Sequence, residues 1–426
     1  MKKVLIISYY WPPSGGSGVQ RWLKFAKYLP KFNWKPIVYT PENPYFDLMD
    51  KSLIAEIPNE VEVIKTKIWE PYYLKDKIFG KSKNSQTSGL INNTFTFKNY
   101  FFNWIRGNFF VPDPKIFWVK KSIKFLLKYI NKNNIEYIVS TGPPHSMHLI
   151  ALGLKKKNKN LKWIADFRDP WSKLDLLDNF YLSYFAKNKN KLLEKNVLFK
   201  ANLILTVSEK WKDDFKKLGA NNVKVITNGY DDSDFTNYTS KMPNEKFVIG
   251  HYGLINHLRN PKNFWKALDE ICLENKDFSK KLEIHLSGNI DENIIKEISN
   301  YSAINSKVKI LGYLSHKEVI DAYTNTSLLL VLLFNSKSGL GNHPAKLFEC
   351  IACKKQFFVF GPENSDTQKL LYKTKIGEYL LYSDNIENIK EKIIKAYNNQ
   401  SVNYKFSNDF SREKLTLNLA DTLNKI

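Results

Sequence analysis

Two charged side chains three positions apart, Lys346 and Glu349, form the most informative cluster of reactive groups. Pro344 fits the first position of a helix with His343 as its cap, which places both charges on one helical face. A lysine near the positive helix start, with a glutamate after it, reverses the order that helix electrostatics favours. Charges placed against local preference are expected to serve a ligand, here phosphate for the amine and sugar or ribose hydroxyls for the carboxylate. The alternative is a plain ion pair.

Another pair of cations, Arg259 and Lys262, lies between a predicted strand ending near Gly253 and a predicted helix. Fixed positive charge and free backbone amides at a strand-to-helix turn favour an anion, and two cations suit a diphosphate. The alternative is two solvated surface cations.

A glycine cluster, Gly15, Gly16 and Gly18, falls between the first predicted strand and the first predicted helix. Glycine lets the backbone approach a ligand closely and leaves amides free at a positive helix end. The spacing does not match the dinucleotide-binding fingerprint, and no acidic residue follows at the distance which that fingerprint requires. The cluster indicates either a ligand loop or only a tight turn.

Two further predicted strands end in polar side chains. His145 and His148 follow a strand that ends near Thr141, and each is either a polar site residue or a core residue. Arg168 and Asp169 close another strand, next to a proline. Charged residues at the carboxyl end of a strand are typical of a site, and the alternative is an arginine–carboxylate pair that fixes the loop.

The segment 95–118 carries ten aromatic residues together with three cations. Phe101, Phe102 and Trp104 are candidates for a membrane interface, where aromatic rings are buried and cations meet anionic headgroups. The alternative is a loop packed on its own domain, since the Pro-Asp-Pro sequence at 112–114 predicts a structured turn.

Neither a cofactor nor a metal site is predicted. Cys350 and Cys353 form a lone C-x-x-C and Cys272 is the only other cysteine, whereas a structural zinc site needs four ligands. We therefore expect packed core thiols, and the small number of cysteines suits a reducing cytoplasm. No cluster of carboxylates in the sequence demands a divalent metal.

The net charge of +23 is unevenly distributed, because residues 1–210 hold 35 lysines and arginines against 16 acidic residues and the remainder holds 30 against 26. A basic half attracts nucleic acid, anionic lipid or a phosphorylated substrate, and charge alone does not choose among them. The longest apolar run, 328–334, is of strand length, so no membrane span is expected. The run 4–8 is cut short by Pro12 and Pro13 and is typical of a first strand rather than a targeting signal.

These residues belong to a regular alternation of apolar, strand-length runs with helical patterns. The runs are 4–9, 37–40, 61–64, 135–141, 163–167, 203–208 and 223–227, and, after a polar linker at 231–245, 247–252, 282–287, 308–311, 328–334, 357–360 and 378–382. The alternation predicts an α/β protein with two Rossmann-like parallel-sheet domains, at 1–240 and 241–404. Such sheets bind ligands at the carboxyl ends of their strands, and two facing each other would form one cleft.

In their order and spacing, these segments resemble the retaining glycosyltransferases of family 4, also called group 1, of the bacterial cell-surface glycan type. Those enzymes have the two-domain GT-B fold. The matching segments span nearly the whole chain and are 12–18, 112–118, 141–148, 166–171, 205–209, 225–235, 251–253, 312–316 and 344–349. The resemblance further implies that the last stretch, 405–426, is a helix that returns to the first domain.

The resemblance implies roles for the residues of the second domain. Arg259 is similar to the family's diphosphate-binding arginine, and Glu349 to the second glutamate of an E-x7-E element that holds the ribose of the donor. Lys346 lies one turn earlier on the same face. The first glutamate of that element would fall at Gly341, so contact with the donor sugar would pass to Asn342 or to backbone amides.

The first domain is where the resemblance implies the acceptor side. The usual histidine–aspartate pair aligns with Arg168 and Asp169, so the histidine is missing. Asp169 is then the candidate catalytic group and His145 the second choice, with Gly15 and Gly16 in the cleft loop. In such enzymes the leaving diphosphate is thought to assist the acceptor hydroxyl, so that no dedicated protein base is required.

We therefore expect metal-independent transfer of a sugar, with retention, from a UDP- or GDP-type donor to a cell-envelope glycan or lipid-linked acceptor. The protein would work in the cytoplasm, either free or peripheral on the inner face of the membrane, whose anionic surface is an expected partner. Nucleic acid is not expected. Two alternatives stay open: a sugar-nucleotide epimerase on the same fold, and a non-catalytic basic scaffold that binds membrane or nucleic acid.

Overall fold

The computed structural model describes residues 1–46, 48–71, 97–236, 245–399 and 408–426. Two compact units make up the chain: Met1–Thr227 with Arg412–Ile426, and Asn228–Ser411. The division therefore falls slightly before the polar stretch 231–245, of which residues 237–244 lie outside the described residues.

The first unit contains a seven-stranded sheet in the order β3-β2-β1-β4-β5-β6-β7, in which every pairing is parallel. Its strands are β1 Lys2–Ile7, β2 Trp34–Pro41, β3 Glu62–Thr66, β4 Tyr137–Gly142, β5 Lys162–Phe167, β6 Leu203–Thr206 and β7 Val223–Val225. Its helices are α1 Ser17–Tyr28, α2 Phe97–Phe109, α3 Ile116–Asn133, α4 Ser146–Lys157, α5 Tyr184–Lys200, α6 Glu209–Lys217 and the last helix, Arg412–Lys425.

The second unit contains a six-stranded parallel sheet in the order β10-β9-β8-β11-β12-β13. Its strands are β8 Phe247–Tyr252, β9 Leu282–Ser287, β10 Val308–Gly312, β11 Leu328–Leu332, β12 Gln356–Gly361 and β13 Glu378–Leu381. Its helices are α7 Lys262–Glu274, α8 Lys276–Lys281, α9 Glu292–Ser299, α10 His316–Thr324, α11 Ala345–Ala352, α12 Asp366–Thr374 and α13 Ile386–Asn398, so the last helix of the first unit is α14.

The central strands form because their side chains are apolar on both faces. All residues of β4, β8 and β11 are buried, as expected for parallel strands covered by helices on both sides. Two apolar layers flank each sheet, so that the first unit has one core on each face and so does the second. All the apolar runs predicted as strands coincide with strands of the two sheets, which confirms the predicted α/β class with two parallel sheets.

Both sheets reverse their strand order at one position, between β1 and β4 in the first unit and between β8 and β11 in the second. At such a switch point the loops after the two strands run to opposite faces of the sheet and leave a crevice at the carboxyl ends. The loops that follow these four strands begin at residues 8, 143, 253 and 333, and they contain six of the predicted site residues: Gly15, Gly16, His145, Arg259, Gly341 and Asn342.

Two local predictions were wrong by a few residues. Helix α11 begins at Ala345 with Pro344 as its N-cap, one residue later than predicted, so His343 precedes the cap. Because its fixed φ suits either position, proline alone does not locate a helix start to one residue. The last helix begins at Arg412 rather than near residue 405, and residues 400–407 lie outside the described residues.

Candidate functional site

A lysine packed on a glycine is the central feature of the second unit's site. Lys346 lies in the first turn of α11 and is half-buried. Its ammonium group lies over Gly253, directly after β8, since a Cβ on that glycine would be 2.5 Å from Nζ. Burial lowers the pKa of Lys346 to about 8 against the opposing effect of Glu349, and Arg259 lowers it further. A bound anion would restore the charge that burial disfavours.

Arg259 is the second cation at these strand ends. It closes the short 3-10 helix His257–Arg259, and its guanidinium carbon lies 3.8 Å from the centre of the Phe334 ring, which follows β11. Since β8 and β11 are paired neighbours, this position puts Arg259 on the same side of the switch point as Lys346. Both cations lower the pKa of His251, and Arg259 also lowers that of Lys346. The structure therefore brings Arg259 near Lys346, the amine predicted to bind phosphate. Lys262, the other cation predicted at this turn, is 69% exposed and pairs with Glu297 at 3.5 Å, as expected for the alternative of a surface cation.

His251 is a site residue that the sequence did not single out beyond its short motif. Its Nδ1 lies 2.9 Å from the carbonyl oxygen of Leu330 and must donate, since a carbonyl only accepts. Its Nε2 is buried and has no hydrogen-bond partner among the described residues. Burial, with Lys346 and Arg259, lowers the pKa of His251 to about 3, so the ring is neutral near pH 7. The unprotonated Nε2 faces the same space, 3.5 Å from a Cβ placed on Gly253.

Glu349 lies one turn after Lys346 and is held by a tyrosine rather than by that lysine. The hydroxyl of Tyr323 donates to Oε2 of Glu349 at 3.0 Å. Tyr323 is fully buried, and burial together with the Glu349 charge raises the pKa of its hydroxyl well above its ordinary value. The phenol therefore stays protonated and fixes the orientation of the half-buried carboxylate. Glu349 raises the pKa of Lys346, but the two side chains do not form a direct ion pair in the part of the chain that the structure describes.

The turn before α11 carries the predicted sugar contacts, Gly341 and Asn342. The 3-10 helix Lys337–Gly341 passes so close to the end of β11 that a Cβ on Gly339 would be 1.8 Å from the Phe334 carbonyl oxygen. Asn342 accepts a hydrogen bond from Thr367 with its backbone oxygen at 2.8 Å. Its side-chain Oδ1 is buried and has no partner in the part of the chain that the structure describes. This oxygen is therefore a further polar atom without a partner among the described residues, just before the helix that carries Lys346.

In the first unit, Arg168 holds backbone rather than a carboxylate. Its Nη1 donates to the Gly18 carbonyl at 2.6 Å, its Nε to the Gly142 carbonyl at 3.2 Å, and its Nη2 to the Pro143 carbonyl. The acceptors are in the first turn of α1, at the last residue of β4 and in the loop after β4, so the guanidinium joins the start of α1 to the end of β4 at the switch point. Asp169 is half-buried beside it and opposes the lowering of the Arg168 pKa that burial causes.

The buried carboxylate near these loops, Asp166, has a different arginine as its partner. Arg21 pairs with it at 3.1 Å, and both side chains are almost completely inaccessible. The Trp22 indole donates to the same carboxylate at 2.7 Å and the Thr141 hydroxyl at 3.0 Å. The alternative predicted for Arg168, a loop-fixing arginine–carboxylate pair, is therefore made by Arg21 and Asp166 instead.

The two histidines after β4 form part of a stack of aromatic rings. His145 lies parallel to Trp171 at 4.6 Å, and His148 lies on Phe167 at 4.3 Å. A Cβ on Gly142 would be 3.0 Å from Nδ1 of His145 and 2.6 Å from Nε2 of His148, and neither nitrogen has a partner among the described residues. Burial lowers the pKa of His148 to about 3 and that of His145 well below its ordinary value, with Arg168 contributing to both. Both rings are therefore neutral.

A cavity of about 360 Å³ opens beside the glycine loop of the first unit. Gly16 has φ +83°, a conformation that favours glycine, and the Gly15 amide donates to the Leu48 carbonyl at 2.9 Å. Apolar and aromatic side chains dominate the walls. They include Trp11, Pro12, Pro13, Tyr45, Phe46 and Met49, and Glu42 and Lys65 add opposite charges.

The cavity wall that contains Tyr45 is held by a buried ionic network around Glu70. Glu70 accepts hydrogen bonds from the Tyr9 hydroxyl at 3.0 Å and from the Tyr45 amide at 2.8 Å, and it pairs with Lys115 at 3.1 Å. The Tyr9 hydroxyl lies 3.0 Å from the Tyr45 carbonyl oxygen as well. The cavity therefore has a preformed wall of the kind expected in a binding site for a small ligand.

Comparison with known proteins gives a likeness in structure only. No family model matches the sequence, and none of the curated proteins matches it. The sucrose-phosphate synthase tll1590 from Thermosynechococcus elongatus superposes with a TM-score of 0.61 at 12% identity, covering 100% of this chain and 99% of that one. The lipopolysaccharide outer core galactosyltransferase WaaB superposes with a TM-score of 0.59 at 12% identity, covering all of both chains. The chain has the GT-B fold.

A third GT-B neighbour belongs to another class of enzyme. A putative UDP-N-acetylglucosamine 2-epimerase from Listeria monocytogenes superposes with a TM-score of 0.57 at 10% identity, covering 100% of this chain and 96% of that one. The predicted fold is thereby confirmed, whereas membership of family 4 stays a prediction.

The predicted membrane residues lie on α2 of this GT-B chain and differ in exposure. Phe101 is 48% exposed, whereas Phe102 and Trp104 are half-buried. The indole of Trp104 contacts the Phe109 ring at 5.7 Å. Among the described residues, none of the helices is both long enough and apolar enough to cross a bilayer.

The predicted core thiols are confirmed, because Cys272, Cys350 and Cys353 are all buried. Burial raises the pKa of Cys350. Within the described ranges, no group of three or more histidine, cysteine or acidic side chains is arranged to hold a metal ion.

Proposed function

We propose that this protein is a glycosyltransferase that moves a sugar, with retention, from a UDP- or GDP-type donor to a cell-envelope glycan or lipid-linked acceptor. The observation that carries the proposal is the placement of Lys346 on Gly253 beside Arg259, at the switch point of the second sheet. Two coupled cations beside a bare glycine backbone suit a diphosphate, whose oxygens can approach both charges and the strand-end amides. The GT-B fold of the chain supports the proposal.

In the proposed reaction the bond between the anomeric carbon and the diphosphate oxygen breaks, and a bond from that carbon to the acceptor oxygen forms on the same face. Lys346 and Arg259 would stabilise the negative charge that develops on the leaving diphosphate, without need of a metal. The acceptor hydroxyl proton would pass to an oxygen of the departing diphosphate. The neutral Nε2 of His251 would accept a hydrogen bond from the Lys346 ammonium or from a donor hydroxyl.

The rest of the donor would be held by the helix that carries Lys346. Glu349, fixed by Tyr323, would accept hydrogen bonds from the ribose hydroxyls. The unpartnered Oδ1 of Asn342 and the backbone at Gly341 would contact the sugar. An amide in place of a carboxylate favours a neutral hydroxyl donor over a cationic one, so we expect a neutral sugar.

For the acceptor we propose the cavity beside Gly15 and Gly16. Its aromatic and proline walls suit the apolar face of a sugar ring, and its volume of about 360 Å³ fits one or two sugar units. Asp169 is the candidate catalytic group in this unit, because it is half-buried whereas His145 is only 7% exposed and stacked on Trp171. His145 is the second choice.

The proposal is tested by release of nucleoside diphosphate from a panel of UDP- and GDP-sugars. We expect Lys346→Ala and Arg259→Ala each to lower the rate by about 100- to 1,000-fold, the cost of removing one preorganised positive contact. Lys262→Ala is the matched control, because Lys262 is three residues from Arg259 but 69% exposed and paired with Glu297. Wild-type rates in both site variants, or no release from any donor, would contradict the proposal.

A sugar-nucleotide epimerase is the second candidate, and the epimerase among the neighbours favours it. It would convert UDP-N-acetylglucosamine in the absence of any acceptor, whereas a transferase would leave the donor sugar unchanged. The scaffold alternative predicts a thermal shift with DNA and none with any nucleotide. Thermal melts with UDP, GDP and DNA separate that alternative from both enzymes.

We also propose that the enzyme works in the cytoplasm and attaches peripherally to the inner face of the membrane, where a lipid-linked acceptor would lie. The basic first half of the sequence supports an anionic surface as partner. Nucleic acid is not proposed as a partner.

A further inference from the structure

Among the described residues of the first unit, the most exposed aromatic side chains lie in a segment that the sequence did not single out. Tyr184 and Phe185, the first two residues of α5, are 75% and 82% exposed. Phe109, at the end of α2, is 66% exposed. Single exposed rings need no explanation, but exposed rings that lie together mark an interaction site.

The start of α5 and the end of α2 are fastened to each other. Gly107 allows the close approach, because a Cβ there would lie 2.6 Å from Leu182 and 2.7 Å from the Phe180 carbonyl oxygen. Asn108 accepts from the Ser183 amide, the N-cap of α5, at 2.7 Å, and donates to the Tyr181 carbonyl at 3.3 Å. The exposed rings of α2 and α5 are therefore held in fixed positions relative to each other.

Two more rings of α2 belong to the same body. Tyr100, 41% exposed, contacts Tyr181 with ring centres 4.5 Å apart, and Phe101 follows it on the surface. We call Tyr100, Phe101, Phe109, Tyr184 and Phe185 the aromatic ledge.

The exposed charges of α5 are positive, whereas the 3-10 helix Asp175–Phe180 before it carries Asp175 and the exposed Asp178. Helix α5 exposes five lysines, Lys187, Lys189, Lys191, Lys195 and Lys200. Its one acidic residue, Glu194, is buried and accepts from the backbone amides of Trp171 and Ser172. Exposed rings followed by an excess of lysines, five on α5 against the two aspartates before it, are the pattern of an amphipathic segment that lies in the interface of an anionic bilayer.

Other occupants fit the ledge less well. Single-stranded nucleic acid stacks on rings whose edges are packed in a groove, and 75–82% exposure at a helix tip does not provide such a platform. A second copy of this chain would bring the same lysines together, with like-charge repulsion.

We propose that the aromatic ledge inserts into the headgroup region of an anionic membrane, with the α5 lysines against the lipid phosphates. The inference rests on the proposed function in one respect: membrane binding would bring the enzyme to a lipid-linked acceptor. It extends the predicted membrane contact from Phe101 to the other residues of the ledge. The binding itself needs neither donor nor acceptor.

Flotation with vesicles of phosphatidylcholine alone, or with phosphatidylglycerol added, tests the proposal on the full chain. We expect the wild type to bind only the anionic vesicles, and Tyr184→Ser/Phe185→Ser to bind them at least about tenfold more weakly, since two ring burials are lost. Lys187→Glu/Lys191→Glu should bind the anionic vesicles more weakly than the wild type. The difference should shrink as added salt screens the charges. The control Leu273→Ser/Tyr372→Ser changes residues that are 63% and 65% exposed in the second unit, and should bind as the wild type does.

A UDP-induced thermal shift, retained in every variant, shows that the second unit is folded and keeps this test separate from the proposed donor site. Equal vesicle binding by Tyr184→Ser/Phe185→Ser and the wild type would overturn the proposal. Failure of the wild type to bind anionic vesicles would also overturn it. That includes the outcomes in which the ledge instead forms dimers, measured by light scattering, or binds single-stranded DNA.

Discussion

Lys346 combines a pKa of about 8 with a position where an anion is proposed to bind, and this combination links the affinity for nucleotide to pH. Below pH 8 the amine is already charged, so a diphosphate binds without proton uptake. Above pH 8 the free protein has lost the proton, whereas the complex holds it because the diphosphate raises the pKa again.

We therefore expect the affinity for UDP to be flat below pH 8 and to fall by up to about tenfold per pH unit above it. Isothermal titration in buffers of different ionisation enthalpy should show proton uptake at pH 9. The variant Lys346→Met should bind more weakly and without this pH dependence. An unchanged slope in that variant would assign the titration to another group.

Gly253 makes a second prediction at the scale of one residue. In Gly253→Ala the added Cβ would meet Nζ of Lys346 at 2.5 Å, and only the flexible end of that side chain must move. We expect little change in the free energy of unfolding but a loss of about tenfold in UDP affinity, about 1.4 kcal/mol. In Gly253→Ala/Lys346→Ala the glycine substitution should add almost nothing, because the two effects share one contact. Additive losses in a titration of all three variants would contradict this.

At the scale of elements, we expect substitution of Arg168 to affect mainly stability and substitution of Asp169 to affect mainly the transfer rate. Arg168→Ala removes the side-chain donors that join the first turn of α1 to the end of β4, so we expect a loss of about 3 kcal/mol in unfolding free energy. Asp169→Asn keeps the shape of the side chain and removes only its charge beside Arg168, so we expect it to lower the free energy of unfolding by less than Arg168→Ala does. Its transfer rate should nevertheless fall by about 100-fold if Asp169 contacts the acceptor. Urea denaturation and rate measurements on both variants decide between a fixing and a catalytic role for each.

The strands were more predictable than the contacts of the site residues. Strands depend on neighbouring residues in the sequence, whereas the contacts join residues that are far apart in the sequence. Buried parallel strands are continuous apolar runs, so the strands of both sheets could be located from local sequence. The partners of Arg168 could not, since its acceptors Gly18 and Gly142 lie 150 and 26 positions away. Lys346 and Glu349 were recognised from charge order, but their neighbours Gly253 and Tyr323 come from other elements.

At the scale of the whole molecule, the two units should respond to different ligands. We expect UDP to protect amides near residues 250–260 and 339–352 from hydrogen exchange, and an acceptor glycan to protect 11–16 and 40–49. The predicted patterns follow from the separate locations of the cations and of the cavity. Protection by UDP confined to the first unit, measured by mass spectrometry on peptides, would contradict the assignment of the donor to the second.

The unpartnered nitrogen of His251 gives the molecule an internal spectroscopic reporter. The chain has only seven histidines, so a nitrogen-15 spectrum of imidazole-labelled protein contains few signals. The bond from Nδ1 to Leu330 fixes one tautomer, and Nε2 therefore resonates as a bare acceptor until something donates to it. A shift of that one resonance on adding a nucleotide sugar would report occupancy at the strand end directly, without any engineered label or measured turnover.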